Sequence, residues 1–168
     1  MENTLNEKVH NILVVYYSRT GVTRKVAEYI AKQLGADIEE IIDMKKRSGI
    51  WGFLIGGRDA LKRKETKISE IKKDPSKYDL VIAGSPVWAG NMAPAIRTYL
   101  NKSKPDIKSS AFFATSGGLT QEKIFNEVRS LLDKDIISLI GICTRELKDD
   151  SIFNAKISSF IGGITQNK

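Results

Sequence analysis

Residues 12–23 read ILVVYYSRTGVT, and this stretch decides the fold. Positions 12–17 form a continuous run of β-branched, aliphatic and aromatic residues, the pattern of a strand buried on both faces. The run stops at Ser18-Arg19-Thr20-Gly21, and from Val22 the period changes. Val22, Val26, Ile30 and Leu34 recur every four residues, one stripe of a helix, and Gly35 follows as its stop signal. A buried strand, a short hydroxyl-rich loop and an amphipathic helix make the opening of a β-α-β unit.

The same alternation continues outward. Further strands are predicted at 36–42, 80–84, 111–115 and 136–142, and helices at 94–102, 121–132 and 151–161. Ser85-Pro86 is expected to turn the chain after the third strand. Pro94 is expected to begin a helix, where its missing N–H costs nothing. Strands alternating with helices predict an α/β parallel sheet, covered on both faces and doubly wound into three layers by right-handed crossovers. The 168 residues read as a single domain, 1–168, able to bury roughly two thirds of their unfolded surface.

Charge is the unusual feature. The chain carries 27 Lys and Arg against 20 Asp and Glu, a net of +7. Within 43–73 there are ten cations and four anions, so this glycine-interrupted insert alone nets +6. The rest is nearly neutral. Nucleic-acid binding would call for interleaved aromatics and a recognisable module, and neither is present, so no nucleic-acid partner is expected. The insert's simplest reading is a solvated loop. A sharper one joins Ile50, Trp51, Phe53, Leu54 and Ile55 to the neighbouring cations, a docking surface for an acidic protein or for an anionic membrane.

One cysteine, Cys143, excludes a disulfide framework and fits a reducing cytoplasm, where it is expected to be a buried core residue. One histidine, His10, excludes a multi-histidine metal site and is expected at the surface or as a cap. No metal site and no catalytic side chain are read. Neither a targeting segment nor a membrane span is visible, so a soluble cytoplasmic protein is expected.

Ligands of doubly wound sheets bind outside the carboxyl ends of the strands, and three loops there carry the chemistry. The first is Ser18, Arg19, Thr20, Gly21, Val22 and Thr23. It sets hydroxyls and a glycine at a helix start, where free N–H groups and the dipole attract an anion. It matches neither a dinucleotide fingerprint nor a nucleoside-triphosphate loop, and suits a monophosphate dianion. Its plainer reading is an N-cap with no ligand. The second loop is Ser85, Pro86, Val87, Trp88, Ala89, Gly90 and Asn91, whose tryptophan is either packing or a wall for a flat aromatic ligand. The third is Thr115, Ser116, Gly117 and Gly118, weak alone.

In that order, the three loops resemble the flavodoxin family over nearly the whole chain. The resemblance implies a three-layer, doubly wound flavodoxin-like fold with a five-stranded parallel sheet in order 2-1-3-4-5, holding FMN without a covalent bond. It implies that the first loop holds the phosphate, while the second and third hold the ribityl chain and ring with Trp88 beside the isoalloxazine. A backbone carbonyl near Ala89 or Gly90 would then accept a proton-bearing flavin N5. Departures are visible. Many flavodoxins carry a tyrosine in the loop after strand 4, where this chain has Gly117, Gly118 and Leu119, so one flavin face is either open or covered by Trp51. Gly90-Asn91-Met92 also resembles the flavin-dependent quinone reductases of the same superfamily. Many flavodoxins are acidic, and this chain is not. It lacks a long insertion in the last strand, as in the short-chain form.

The function expected is an FMN-dependent carrier of one or two electrons between redox partner proteins, acidic ones docking near the flavin edge and the insert. An NAD(P)H-dependent quinone or nitro reductase on the same fold is the alternative. A non-redox binding or regulatory module is the third reading; a receiver domain would want an aspartate where Gly84-Ser85 stands. Six net charges about 10 Å away in water shift a one-electron potential by roughly 100 mV before screening. The insert is therefore expected to dock rather than to tune.

Overall fold

Side-chain alternation along β1 (Ile12–Tyr16) divides the core into two layers. Leu13 and Val15 face one cluster with Ile96, Tyr99, Leu100, Ile124 and Val128. Ile12, Val14 and Tyr16 face the other, with Val26, Ile30, Ile157 and Phe160. Both clusters exclude water, so every central strand is apolar on both sides. The structure, a computed structural model, describes residues 11–166 apart from 48, 119, 120, 134 and 135. His10 and Leu119 lie outside the described residues.

After β1 come α1 (Val22–Leu34), β2 (Asp37–Glu40), α2 (Gly49–Leu61), β3 (Leu80–Trp88) and β4 (Asn91–Met92). Then follow α3 (Pro94–Ser103), β5 (Ser110–Ser116), α4 (Glu122–Leu132), β6 (Ile136–Cys143) and α5 (Asp150–Gln166). The sheet runs β2-β1-β3-β5-β6, all parallel, with β4 turned back on the end of β3. Counted without the two-residue β4, this is the expected 2-1-3-4-5 order. Cys143 ends β6 and is buried.

Two expectations fail. Ser85-Pro86 does not turn the chain: β3 continues to Trp88, and Pro86 pairs with Thr115 of β5. The reason lies in which side each residue addresses. β1 ends opposite Gly84, whose carbonyl accepts from Tyr17 N–H. Pro86, two residues on, directs its missing N–H to that same vacated side, so no ladder bond is lost. The turn comes instead at Ala89 and Gly90, both left-handed at φ 49° and 76°, the two-residue hairpin that suits strand twist.

The insert is also not a solvated loop, because residues 49–61 are helical. Glycine inside a helix costs roughly 1 kcal/mol against alanine, so something must offset Gly52 and Gly56. Both face inward, against neighbours that leave no room for a side chain. A Cβ on Gly52 would lie 2.2 Å from the Arg47 carbonyl carbon, and one on Gly56 2.8 Å from the Trp88 ring. The absent side chains let the helix seat closely. Arg47, itself buried, then bonds Asp43 at 2.6 Å and Asp59 at 2.9 Å, joining the approach segment to the helix. The base of the excursion is closed by Met44 N–H to the Lys67 carbonyl and Ser69 N–H to the Ile42 carbonyl.

A second buried ion pair locks the opposite side. The Glu127 carboxylate accepts from both Nε and Nη2 of Arg97 and from Met92 N–H. Arg97 also donates to the Lys64 and Met92 carbonyls. Breaking one partner of such a pair leaves a charge uncompensated, which costs about 3–5 kcal/mol. Glu127→Ala is therefore expected to lower unfolding free energy by about that much in urea titration, with Glu127→Gln losing less because the amide still accepts from Arg97. Equal, small losses for the two variants would remove the pair from its structural role.

Candidate functional site

The three loops converge at the carboxyl ends of β1, β3 and β5. Between them is an open cleft of about 160 Å³ lined by Arg19, Thr20, Val22, Thr23, Pro86, Val87, Trp88, Thr115, Ser116, Gly117 and Thr144. A larger groove of about 520 Å³ runs along β2, lined by Glu39, Glu70, Lys72 and Lys73 among others, and shares no residue with the loops. Its Glu39 carboxylate is already taken by the N–H groups of Lys72 and Lys73. The cleft, not the groove, is where the sequence's chemistry collects. Among the described residues there is no group of three His, Cys, Asp or Glu able to hold a metal ion.

The first loop is built to present donors. Gly21, the residue before α1, is left-handed at φ 89°, and its N–H is taken by Ser18 Oγ at 3.1 Å. No side chain caps the helix and no acidic residue stands in its first turn. The first N–H groups of any helix lack intrahelical acceptors, and here nothing from the chain competes for them. A Cβ at Gly21 would meet nothing within 4 Å, so the glycine serves backbone conformation and not close packing. An uncapped, acid-free helix start beside the Ser18, Thr20 and Arg19 side chains fits a phosphate dianion.

Thr23 lines the cleft and also ties two of its loops together. Its hydroxyl is buried and lies 2.8 Å from the Thr115 hydroxyl, fastening the first loop to the end of β5. The third loop has its own ties. Gln121 Nε2 donates to Ser116 Oγ at 2.8 Å, and Thr144 donates through N–H and hydroxyl to the Ser116 carbonyl. Gly141 makes the first tie possible, since its Cβ would fall 1.3 Å from Gln121 Oε1. Thr115 opens the third loop as read from sequence; Thr144 and Gln121 were not read. Thr144 sits at a strand end like the residues that were, but no motif marks it.

In the second loop the structure separates the candidates. Pro86, Val87 and Trp88 line the cleft. Ser85 is fully buried, its hydroxyl accepting from Ala93 N–H at 3.0 Å and donating to the Pro86 carbonyl. Asn91 is buried too, its Nδ2 donating to the Ala89 carbonyl at 2.8 Å. Ser18, Gly21, Ser85, Ala89, Gly90, Asn91 and Gly118 are thus not in the lining but shape the loops that are. Trp88 is 9% exposed, edge-to-face with Tyr17 at 5.6 Å and under the Arg47 guanidinium at 5.9 Å. It is anchored into the core rather than standing free as a wall. Trp51 is on α2, exposed, and does not line the cleft.

Charge beside the cleft is ordered as well. Burial pushes the Asp59 carboxyl up, yet hydrogen bonds from Lys45 and Arg47 overcome this and hold it below the ordinary value. Burial, then the Asp43 carboxylate, pushes the Tyr17 hydroxyl from 10.0 to about 12. The folded state therefore binds the Tyr17 proton more tightly than the unfolded state does. Its contribution to stability is complete below pH 10 and lost as pH rises toward 12. Denaturation midpoints measured from pH 9 upward are expected to fall across this window, and less steeply in Tyr17→Phe. An identical fall in the variant would acquit Tyr17.

Comparison with known proteins agrees with this geometry. A family model described as Flavodoxin matches residues 11–138. A flavoprotein from Lactobacillus acidophilus NCFM, solved in complex with FMN, is 26% identical, with a TM-score of 0.69 over 87% of this chain and 97% of that one. Two more distant structures share the fold. A flavodoxin, WrbA-like protein from Agrobacterium tumefaciens is 17% identical, with a TM-score of 0.60 over 93% of this chain and 97% of its own. Oxidised flavodoxin 1 from Bacillus cereus is 14% identical, with a TM-score of 0.57 over 94% and 99%. Among curated proteins, none matches in sequence.

Proposed function

The chain belongs to the flavodoxin family, and from that premise we propose that it holds FMN in the cleft and carries one or two electrons between redox partners. The observation that carries this reading is the uncapped start of α1 behind left-handed Gly21, facing the strand ends from which the other two loops rise. The bound FMN of the Lactobacillus flavoprotein supports the choice of ligand. When bound, the flavin supplies the redox chemistry. The protein's part is to bind, orient and tune.

Each residue then has a share. The α1 N–H groups and Thr20 hold the phosphate, with Arg19 adding charge and Ser18 holding Gly21 in place. Thr23 and Thr115 keep that loop in register with the Ser116–Gly117 backbone. The Ala89 carbonyl, fixed by Asn91, retains a second lone pair that accepts an N–H donor of the ligand. Left-handed Ala89 and Gly90 set its direction. A cytoplasmic location is part of this reading, supported by the single cysteine, buried and without a disulfide. A redox partner with an acidic face docks at the open rim, where Lys45 and Lys46 lie beside Arg19.

The exposed Gly117 and Gly118 favour a second reading, an NAD(P)H-dependent quinone or nitro reductase, because among the described residues of the third loop none is bulky enough to close the cleft on that side. Two measurements separate the readings. Purified protein mixed with FMN is expected to turn yellow at one flavin per chain, and Gly21→Val to bind about tenfold or more weakly, since a β-branched residue resists positive φ. The loaded protein is expected to accept electrons from a reductase but to oxidise NADPH with benzoquinone only slowly. Many turnovers per second would make it an enzyme. A colourless preparation would return the non-redox binding module.

A further inference from the structure

The helix α2 is inside out. Its inward face carries the small residues Gly52, Gly56 and Ala60 at four-residue steps, all buried. Four of its large apolar residues point to solvent. Ile50, Leu54 and Leu61, four and eleven residues apart, share one outward face at 78%, 54% and 58% exposure, and Trp51 beside them is 77% exposed. Among the described residues the other exposed large apolar side chains are Ile42, Met44 and Ile152, so the patch and its approach hold six of seven. Apolar side chains scattered singly need no partner; a contiguous patch on one helix does.

Charge around the patch selects the partner. Lys46 before the helix, Arg58 within it and Lys62, Arg63, Lys64 after it are all exposed. Among the described residues, of these cations only Arg58 meets an acid of the segment, Asp59 Oδ1 at 3.7 Å, and the other contacts of these acids lie elsewhere. Asp59 is buried and bonded to Arg47 and Lys45, Asp43 is turned to Arg47 and Thr66, and Glu65 accepts from Asn101. A second copy of the chain would set one cationic rim against another, which opposes pairing. A ridge of Trp, Ile and Leu flanked by Lys and Arg is instead the composition of a helix that lies in a bilayer interface. There the apolar tips enter the acyl boundary, tryptophan sits at headgroup level, and cationic stems reach the phosphates.

We propose that the outward face of α2, with Ile50, Trp51, Leu54 and Leu61 at its centre and Lys46, Arg58, Lys62, Arg63 and Lys64 around it, docks the protein peripherally on an anionic lipid surface. The proposal stands apart from the flavin reading. Among the described residues no helix is long and apolar enough to cross a membrane, so the attachment is reversible and interfacial.

Co-sedimentation of the full chain with phosphatidylcholine vesicles, with and without phosphatidylglycerol at roughly one lipid in four, tests this directly. The wild type is expected to pellet with the anionic vesicles, not the neutral ones, and to be released by high salt. Ile50→Ser with Trp51→Ser is expected to lower partitioning about tenfold or more, each lost apolar group weakening interfacial binding. Lys62→Gln with Arg63→Gln and Lys64→Gln should lower it by about a hundredfold at low salt, since three charges are lost. These side chains are exposed, so far-ultraviolet circular dichroism of both variants is expected to match the wild type. A wild type that stays in solution with anionic vesicles would overturn the proposal, as would apolar variants that pellet unchanged. Salt-sensitive binding to polyglutamate without vesicle binding would assign the face to an acidic protein. Dimerisation lost in the Ile50→Ser, Trp51→Ser variant would assign it to a second copy.

Discussion

The buried pair of Arg97 and Glu127 is the constraint on which the ligand end of the molecule depends. It is a costly device, since two charges leave water. What it secures is position. Glu127 comes from α4, Arg97 from α3, and their remaining bonds reach Met92 of the hairpin and the Lys64 carbonyl beyond α2. Three stretches remote in sequence, at Lys64, Met92–Arg97 and Glu127, are thereby fixed against each other by two side chains. The hairpin that shapes the second loop has only two paired residues on its return strand. Such a short ladder would not hold its place alone.

The second constraint is the set of small residues. Gly84 lies against Phe113, where any Cβ would fall 2.0 Å from the ring. Gly141 makes room for Gln121, and Gly56 for Trp88. In each case the missing side chain belongs to one element and the space is used by another. The cost of a glycine in a strand or helix is thus offset elsewhere, and a reading confined to one element sees only the cost.

That difference explains what the sequence revealed and what it hid. The first loop was legible because the period changes from strand to helix at a single point, between Tyr17 and Val22. Connectivity and handedness pointed to a doubly wound parallel sheet, while the order of its strands came from the resemblance to the flavodoxin family. The helix at 49–61 was hidden because Gly49, Gly52, Gly56 and Gly57 read as interruptions, and only the closeness of Arg47 and Trp88 reveals their use. Pro86 read as a turn because its lost N–H matters only where a neighbouring strand is present, and β1 has already ended. Ser85 and Asn91 were read as ligand-facing because polar residues in loops look available. Both are spent on backbone groups of the same hairpin. Thr144 could not be found by motif, since its role arises from which strand ends lie side by side.

The return limb of the insert has one more consequence, at the edge of the sheet. β2 is the last strand on its side, and an edge strand offers unpaired backbone to any passing chain. Here the limb folds over it. Ser69 bonds the Ile42 carbonyl just past the strand, the N–H groups of Lys72 and Lys73 close on Glu39, and Lys73 Nζ reaches Asp37 at 3.1 Å. A strand arriving from another molecule would find lysines where it needs a free ladder. The excursion that gives this chain its basic character also guards its sheet from growing into a neighbour, and so from aggregation.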